Sequence, residues 1–323
     1  MCRHLAYLGE PATLRSVLVD PPHSLQVQAW APRRQRHGVV NADGFGVGWY
    51  ADGDPVPARY RRARPIWSDT SFADLARVTR SRAVLAAVRS ATDDTEAGEA
   101  AAAPYAAGRW LFSHNGVLSG WPAAGATLAA GLPAGDMLAL EARCDSAVIW
   151  AVVLRWLRAG SGLAEALDKT IRELAARHLS GRFNFLLTDG ETIAATAAGD
   201  TLCYRSSPAG VVVASEPGDD EPGWIDVPDQ SVVTARPGSV TVRPIGAVAD
   251  AAHPAAGAHP AAQADRAAHA DRAARADAAA QAEAEADAAA HADATALSAA
   301  SAASAGAGGS ATGTSQNGRT ASG

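Results

Sequence analysis

Met1-Cys2-Arg3-His4-Leu5-Ala6-Tyr7-Leu8 opens the chain, and its second residue decides how the rest is read. Removal of Met1 places a thiol and a free α-amine on the same residue. A thiol titrates near ~8.5 and an α-amine near ~7.7 to 8.0, so the amine can take the thiol's proton without a separate histidine. The residues that follow Cys2, from 3 to 8, are mostly apolar and read as a strand. A nucleophile on the first residue of a strand needs a pocket, donors for an oxyanion and a grip on the substrate, and these are sought downstream.

The bulk properties suit a globular enzyme of ordinary size. The chain has 323 residues, 48% of them apolar and eight of them tryptophan, enough to bury a sizeable core. From Asp250 onward there are eight acidic residues against four arginines, so this end carries −4 of the formal net charge of −6. The remainder is close to neutral, which gives no electrostatic argument for nucleic acid or an anionic membrane, and neither is expected as a partner. Cys2, Cys144 and Cys203 form no CxxC pair and no metal-ligand spacing, so no disulfide framework, zinc site or other metal is expected. There is no signal-peptide pattern and no run of about 18 apolar residues. The expectation is a soluble, cytoplasmic protein with no membrane partner. Whether it forms a homo-oligomer is not fixed by the sequence.

Two domains are expected, residues 1–246 and a low-complexity tail over 247–323. The tail lacks aromatic residues and nearly all large aliphatics, so it buries too little to offset the entropy of ordering and is expected to be mostly disordered. Its middle, 261–300, is Ala-rich enough for transient helix, and His253, His259, His269 and His291 are too widely spaced for a defined metal site.

Within 1–246 strand-like runs cover 3–8, 44–50, 83–88, 110–113, 183–188, 192–197, 202–205, 211–214 and 231–242. Helical spacing covers 146–158, with Gly160 just beyond it, and 163–179. Strands outnumber helices, and the helices gather mid-chain. This predicts an α+β layered domain on antiparallel sheets.

Three segments carry chemistry. Ser113-His114-Asn115-Gly116 follows an apolar run, and an Asn side-chain amide beside a Gly backbone N–H suits an oxyanion; the same pair also fits a hairpin turn. Arg89-Ser90-Ala91-Thr92 ends the run AVLAAVRS, where a guanidinium is placed to bind a carboxylate. Arg143-Cys144-Asp145-Ser146 opens the first strong helix, with Asp145 or Ser146 as N-cap and Asp145 able to meet an ammonium. Cys144 and Cys203 read as packed hydrophobes. Two further stretches read as structural. Gly44, Gly46 and Gly48 alternate with Phe45, Val47 and Trp49, which is a strand with one face stripped so that another segment, such as the processed N-terminus, can pack on it. Arg33-Arg34-Gln35-Arg36-His37 reads as a solvated loop.

The order Cys2, Asp43-Gly44, Arg89, Asn115-Gly116, Asp145 resembles the glutaminase domain of the class II glutamine amidotransferases, a branch of the N-terminal nucleophile hydrolases. The resemblance spans residues 2–242. It implies a four-layer αββα fold with two packed antiparallel sheets, Cys2 as nucleophile with its own amine as base, and Asn115 and Gly116 as oxyanion donors. It also implies that Arg89 holds the α-carboxylate and Asp145 the α-ammonium of a glutamyl group. Gly181-Arg182-Phe183-Asn184-Phe185 and Ser215-Glu216-Pro217 match other family signatures, read as structural. Thr92-Asp93-Asp94 departs from the family's Thr-His-Gly, so the pocket rim differs. Met1-Cys2-Arg3-His4-Leu5, Ala31-Pro32-Arg33-Arg34-Gln35 and Ser68-Asp69-Thr70-Ser71-Phe72 resemble the γ-glutamyl hydrolases of bacterial ergothioneine biosynthesis. These imply a small-molecule γ-glutamyl substrate, γ-glutamyl-hercynylcysteine S-oxide, and no cofactor. Trp30, Trp49, Trp67 and Trp121 are candidates for a cation-π face toward its trimethylammonium group. A free-standing glutaminase and a non-catalytic γ-glutamyl-binding module are the alternatives.

Overall fold

Alternation of apolar residues along β1 (Cys2–Thr13) sorts the layers. Ala6 and Leu8 pack into one buried cluster, while Leu5 and Tyr7 pack into another on the opposite face. In the computed structural model, which describes residues 2–246 except 39, 92–94, 96 and 97, β1 is central in a seven-stranded antiparallel sheet. Its order is β11 (Ile225–Asp226), β9 (Cys203–Ser207), β10 (Gly210–Ala214), β1, β4 (Arg80–Arg89), β2 (Gly44–Trp49), β3 (Ala58–Arg62). The second antiparallel sheet has six strands in the order β13 (Ser239–Pro244), β12 (Ser231–Arg236), β8 (Ile193–Ala197), β7 (Gly181–Thr188), β6 (Trp110–Leu118), β5 (Tyr105–Ala107).

The sheets meet face to face over Ala6, Leu8, Leu85, Leu111, Leu186 and Val233. Outside the first sheet lie α1 (Leu14–Leu18), α2 (Leu25–Gln28) and α3 (Thr70–Val78), packed on Leu5, Phe45, Val84 and Val88. Each begins on a capping side chain: Thr13, Ser24 and Asp69 accept from the N–H of Ser16, Val27 and Phe72. Outside the second sheet lie α6 (Asp145–Arg158) and α7 (Leu163–Ala176), preceded by α4 (Ala123–Ala129) and α5 (Ala134–Leu138). Phe112 of β6 stacks on Trp150 of α6 with centroids 5.1 Å apart, a contact worth about 0.5–1.5 kcal/mol beyond its burial. The result is the expected αββα stack.

Several expectations need correction. The run 231–242 is a hairpin, β12 and β13, turning at Pro237-Gly238, where Gly238 has φ +74°. Asn115-Gly116 is no turn: β6 continues through it, pairing Asn115 with Asn184 and Gly116 with Phe183. The N-cap of α6 is Cys144, so Asp145 is the first helical residue. The stripped face of β2 receives the Ala103 carbonyl and the Leu111 side chain, and not the N-terminus; an added Cβ would lie 2.2 Å from Ala103 O at Gly46 and 2.6 Å from Leu111 at Gly48. The 33–37 loop is anchored and not merely solvated. The Glu216 carboxylate accepts from Arg33 N (2.9 Å) and Arg34 N (2.7 Å), and Gln35 Oε1 accepts from Arg3 Nε (3.1 Å). The tail 247–323, its histidines included, lies outside the described residues.

Candidate active site

Strand parity brings the predicted residues together. Cys2 shares the inter-sheet face of β1 with Ala6 and Leu8, and Asn115 shares that face of β6 with Leu111, so the two meet where the sheets pack. Cys2 N donates to Asn115 Oδ1 at 3.2 Å. Register does the rest for Arg89: it pairs with Cys2 on one side and Gly44 on the other, which fixes the guanidinium's strand beside the nucleophile. His114, one residue before Asn115, points the other way, its Nδ1 3.0 Å from Ser146 Oγ at the start of α6.

Cys2, Arg89, Gly116 and Asp145 all line one cleft, together with His114 and Tyr105. It is narrow, with a cavity volume of about 30 Å³, room for about two water molecules. Arg89 is buried; its Nη1 donates to Asp43 O (3.4 Å) and its Nη2 to Thr95 Oγ1 (3.3 Å). Asp43 brackets this turn, donating its N–H to Arg89 O (2.9 Å) and accepting from Ala91 N at Oδ2 (2.7 Å). Asp145 is also buried. Its Oδ2 accepts from Leu118 N (2.9 Å) and its Oδ1 from Ser146 N (2.8 Å), with Ser146 Oγ 3.4 Å from Oδ1. Those two N–H donors occupy two of about four carboxylate lone-pair sites, leaving acceptor capacity for a ligand cation.

His114 is locked in one tautomer. Its Nε2 lies 2.9 Å from the Arg182 carbonyl, which can only accept, so Nε2 carries the proton and Nδ1 accepts from Ser146 Oγ at 3.0 Å. Burial pushes the pKa of His114 down, and that of His4 well below the usual imidazole range. His4 Nδ1 lies 3.1 Å from Ser113 Oγ. Burial drives the thiols of Cys144 and Cys203 the other way, so neither supplies a thiolate at neutral pH. Cys144 sits 3.1 Å from the Tyr105 hydroxyl as a packed side chain. Cys2 alone among the three cysteines is partly exposed.

The sequence reading missed how these groups are supported: His114 and Ser146 hold the start of α6, and Ser215, quoted there only within a structural signature, has an Oγ that accepts from Asn115 Nδ2 at 3.4 Å. His114 stood inside the quoted Ser-His-Asn-Gly run, but its spacing carried no sign that it would face Ser146. None of Trp30, Trp49, Trp67 and Trp121 is among the described residues that line the cleft. Trp30 and Trp67 form an edge-to-face pair at 5.5 Å, and Trp121 lines a separate pocket with Met137 and Leu140. Thr92-Asp93-Asp94 of the expected rim lies outside the described residues. Among the described residues no group of three or more His, Cys, Asp or Glu is placed to hold a metal, and no helix is long and apolar enough to cross a membrane.

Comparison with known proteins gives this geometry a family. The model for glutamine amidotransferases class-II matches residues 16–212, a span that begins beyond Cys2. Gamma-glutamyl-hercynylcysteine sulfoxide hydrolase of Mycolicibacterium smegmatis is 44% identical over 247 residues, covering 76% of this chain and all of that protein. The protein of the same name from Mycobacterium tuberculosis (strain CDC 1551 / Oshkosh) is 44% identical over 242 residues, covering 75% of this chain and 96% of that protein. Among solved structures, a glutamine aminotransferase class-II domain protein from Silicibacter pomeroyi superposes with a TM-score of 0.55 at 25% identity, over 76% of this chain and all of that one. Glutamine phosphoribosylpyrophosphate amidotransferase of B. subtilis superposes with a TM-score of 0.53 at 15% identity, over 76% of this chain and 49% of that one, a likeness of fold alone. A family match across more than half the chain, with close relatives aligned along their whole length, establishes that this chain belongs to the class II glutamine amidotransferases.

Proposed function

We propose that the protein hydrolyses the γ-glutamyl amide bond of γ-glutamyl-hercynylcysteine S-oxide, releasing glutamate and hercynylcysteine S-oxide in ergothioneine biosynthesis. The substrate comes from the relatives, which carry that activity in their name at 44% identity. The chemistry rests on one observation: Cys2, Arg89, Gly116 and Asp145 line the same cleft while the Cys2 nitrogen is held by Asn115.

With Met1 removed, Cys2 carries a free amine beside its sulfur. Arg89 binds the glutamyl α-carboxylate and Asp145 the α-ammonium, which positions the γ-carbonyl over Cys2 Sγ. The amine takes the thiol proton and the sulfur attacks, forming a C–S bond. Asn115 Nδ2 and the Gly116 N–H receive the charge on the carbonyl oxygen. The C–N bond then breaks as the Cys2 ammonium gives its proton to the departing amine. Water, activated by the same amine, opens the thioester and restores the thiol. The catalytic domain on this reading is residues 1–246, and three unpaired cysteines fit a reducing cytoplasm.

The test combines mass spectrometry of the intact protein with incubation of the conjugate. The expected result is loss of Met1, stoichiometric release of glutamate, and a fall of at least about 10³-fold in Cys2→Ala. Equal or faster turnover of L-glutamine makes the protein a glutaminase, and full activity in Cys2→Ala removes the nucleophile assignment.

A further inference from the structure

Ser215 joins the strand that carries Cys2 to the amide that faces it. It follows β10 directly and is fully buried. Its N–H donates to the His4 carbonyl at 3.0 Å, and its Oγ accepts from the His4 N–H at 3.0 Å. One serine thus holds both main-chain groups of the residue two places after Cys2. The same Oγ accepts from Asn115 Nδ2 at 3.4 Å, while Asn115 Oδ1 accepts from Cys2 N at 3.2 Å.

Ser215 is itself fixed from behind. Thr201 Oγ1 donates to its carbonyl at 2.8 Å, and the turn that carries Thr201 is held by Asn184, whose Oδ1 accepts from Ala198 N (2.9 Å) and Asp200 N (3.1 Å). Its neighbour Glu216 is buried and grips the 33–34 backbone. The hydroxyl is therefore a fixed point, and not a rotor free to follow Asn115.

A side-chain amide has two ends of the same shape and opposite hydrogen-bonding character. Only one orientation turns a lone pair to the Cys2 nitrogen. In that orientation the amide NH₂ has two hydrogens, one for Ser215 Oγ and one left for an oxyanion. The reversed amide would point its NH₂ at the Cys2 nitrogen and leave only a carbonyl oxygen where the oxyanion needs a donor.

We infer that Ser215 is a positioning residue of the hydrolase: its hydroxyl sets the orientation of the Asn115 amide and locks it to the Cys2 strand. This rests on the proposed reading of Asn115 as an oxyanion donor. Ser215 is fully buried, is not among the residues that line the cleft, and acts through Asn115.

A double-mutant cycle tests it, using Ser215→Ala, Asn115→Ala and the double variant of the full chain. For each, kcat and KM for the γ-glutamyl conjugate and the thermal midpoint are measured. Ser215→Ala is expected to lower kcat about five- to tenfold with KM within about twofold, the effect of one lost hydrogen bond. On the Asn115→Ala background the same change is expected to cost nothing further, because the residue it orients is gone. Ser215→Cys fills the same space with a weaker acceptor, keeps the fold and gives an intermediate kcat. Unchanged kcat in Ser215→Ala, or losses that add in the double variant, overturns the proposal. If Asn115→Ala keeps parental kcat, the oxyanion assignment itself falls and the role of Ser215 falls with it. If Asn115→Ala is impaired and the losses add, only the Ser215 proposal is lost.

Discussion

Gly116→Ala isolates how tightly β6 is seated in the cleft. A Cβ built on Gly116 lies 1.9 Å from the Arg182 carbonyl oxygen and 2.7 Å from His114 Nε2, where ordinary contact begins at 3.4 Å. The strand must retreat by about 1.5 Å from β7 to admit the methyl, the difference between those separations. That retreat also pulls on the bond of His114 Nε2 to Arg182 O, 2.9 Å long, and so on the Ser146 contact at the start of α6. Misplacement by about 1 Å costs a reaction on the order of 10²-fold. Overpacking adds about 1–3 kcal/mol of destabilisation, which lowers Tm by about 2–4 °C per kcal/mol in a domain of this size. Steady-state hydrolysis of the conjugate, with differential scanning fluorimetry alongside, reads both. Gly135→Ala is the control: it lies in α5 with nothing within 4 Å of an added Cβ, and is expected to leave kcat/KM unchanged. A Gly116→Ala protein with parental kcat/KM and Tm would refute the reasoning.

Arg89→Lys and Asp145→Asn, each removing one arm of the glutamyl clamp, are expected to raise KM about 10- to 100-fold; saturation curves showing parental KM for either would remove that residue from the clamp. His4 and His114 are held neutral by burial, with folded pKa values below the unfolded value of about 6.5. The unfolded chain therefore binds more protons as pH falls, and the stability these groups contribute is present above pH ~6.5 and lost below it, by up to about 1.4 kcal/mol per pH unit for each. Urea midpoints between pH 7.5 and 5 are expected to fall accordingly, and a flat profile contradicts the assignment. Glu216→Ala strands the Arg33 and Arg34 N–H groups and is expected to cost about 1–3 kcal/mol in urea unfolding; a change under about 0.5 kcal/mol would show that the 33–34 loop is held by other contacts.

What was legible in the chain was what periodicity records. The strands around Leu5, Leu85, Leu186 and Val213, and the two long helices, stand out because their apolar residues repeat over enough positions to reveal a period. Cys2, Arg89, Asn115, Gly116 and Asp145 were proposed by type and order; the fold lines one cleft with Cys2, Arg89, Gly116 and Asp145, and sets buried Asn115 against the Cys2 nitrogen. The short elements were not visible. α1 and α2 have five and four residues, too few for a period. β3 carries Arg59, Tyr60, Arg61 and Arg62, which read as solvent-facing until Glu141 pairs with Arg59 and Arg61 and Asp69 with Arg62 across distant segments. Asn115-Gly116 looks locally like a turn, and only pairing with β7 keeps it extended. Ser215 stood in the quoted Ser-Glu-Pro signature, but what it holds was not legible, since its partners His4 and Asn115 lie 211 and 100 residues away in the chain.

The pairing of Cys2 with Arg89 carries a lesson about what this fold tolerates. Because the ladder between β1 and β4 sets the spacing of sulfur and guanidinium, many side chains along β1 can be exchanged without disturbing it, whereas its length cannot. Gain or loss of a single amino acid between positions 2 and 8 would turn the thiol to the helix-covered side of its sheet, silencing the reaction while every side chain it needs remained in the chain. The number of residues in this segment constrains the site as much as their chemistry does.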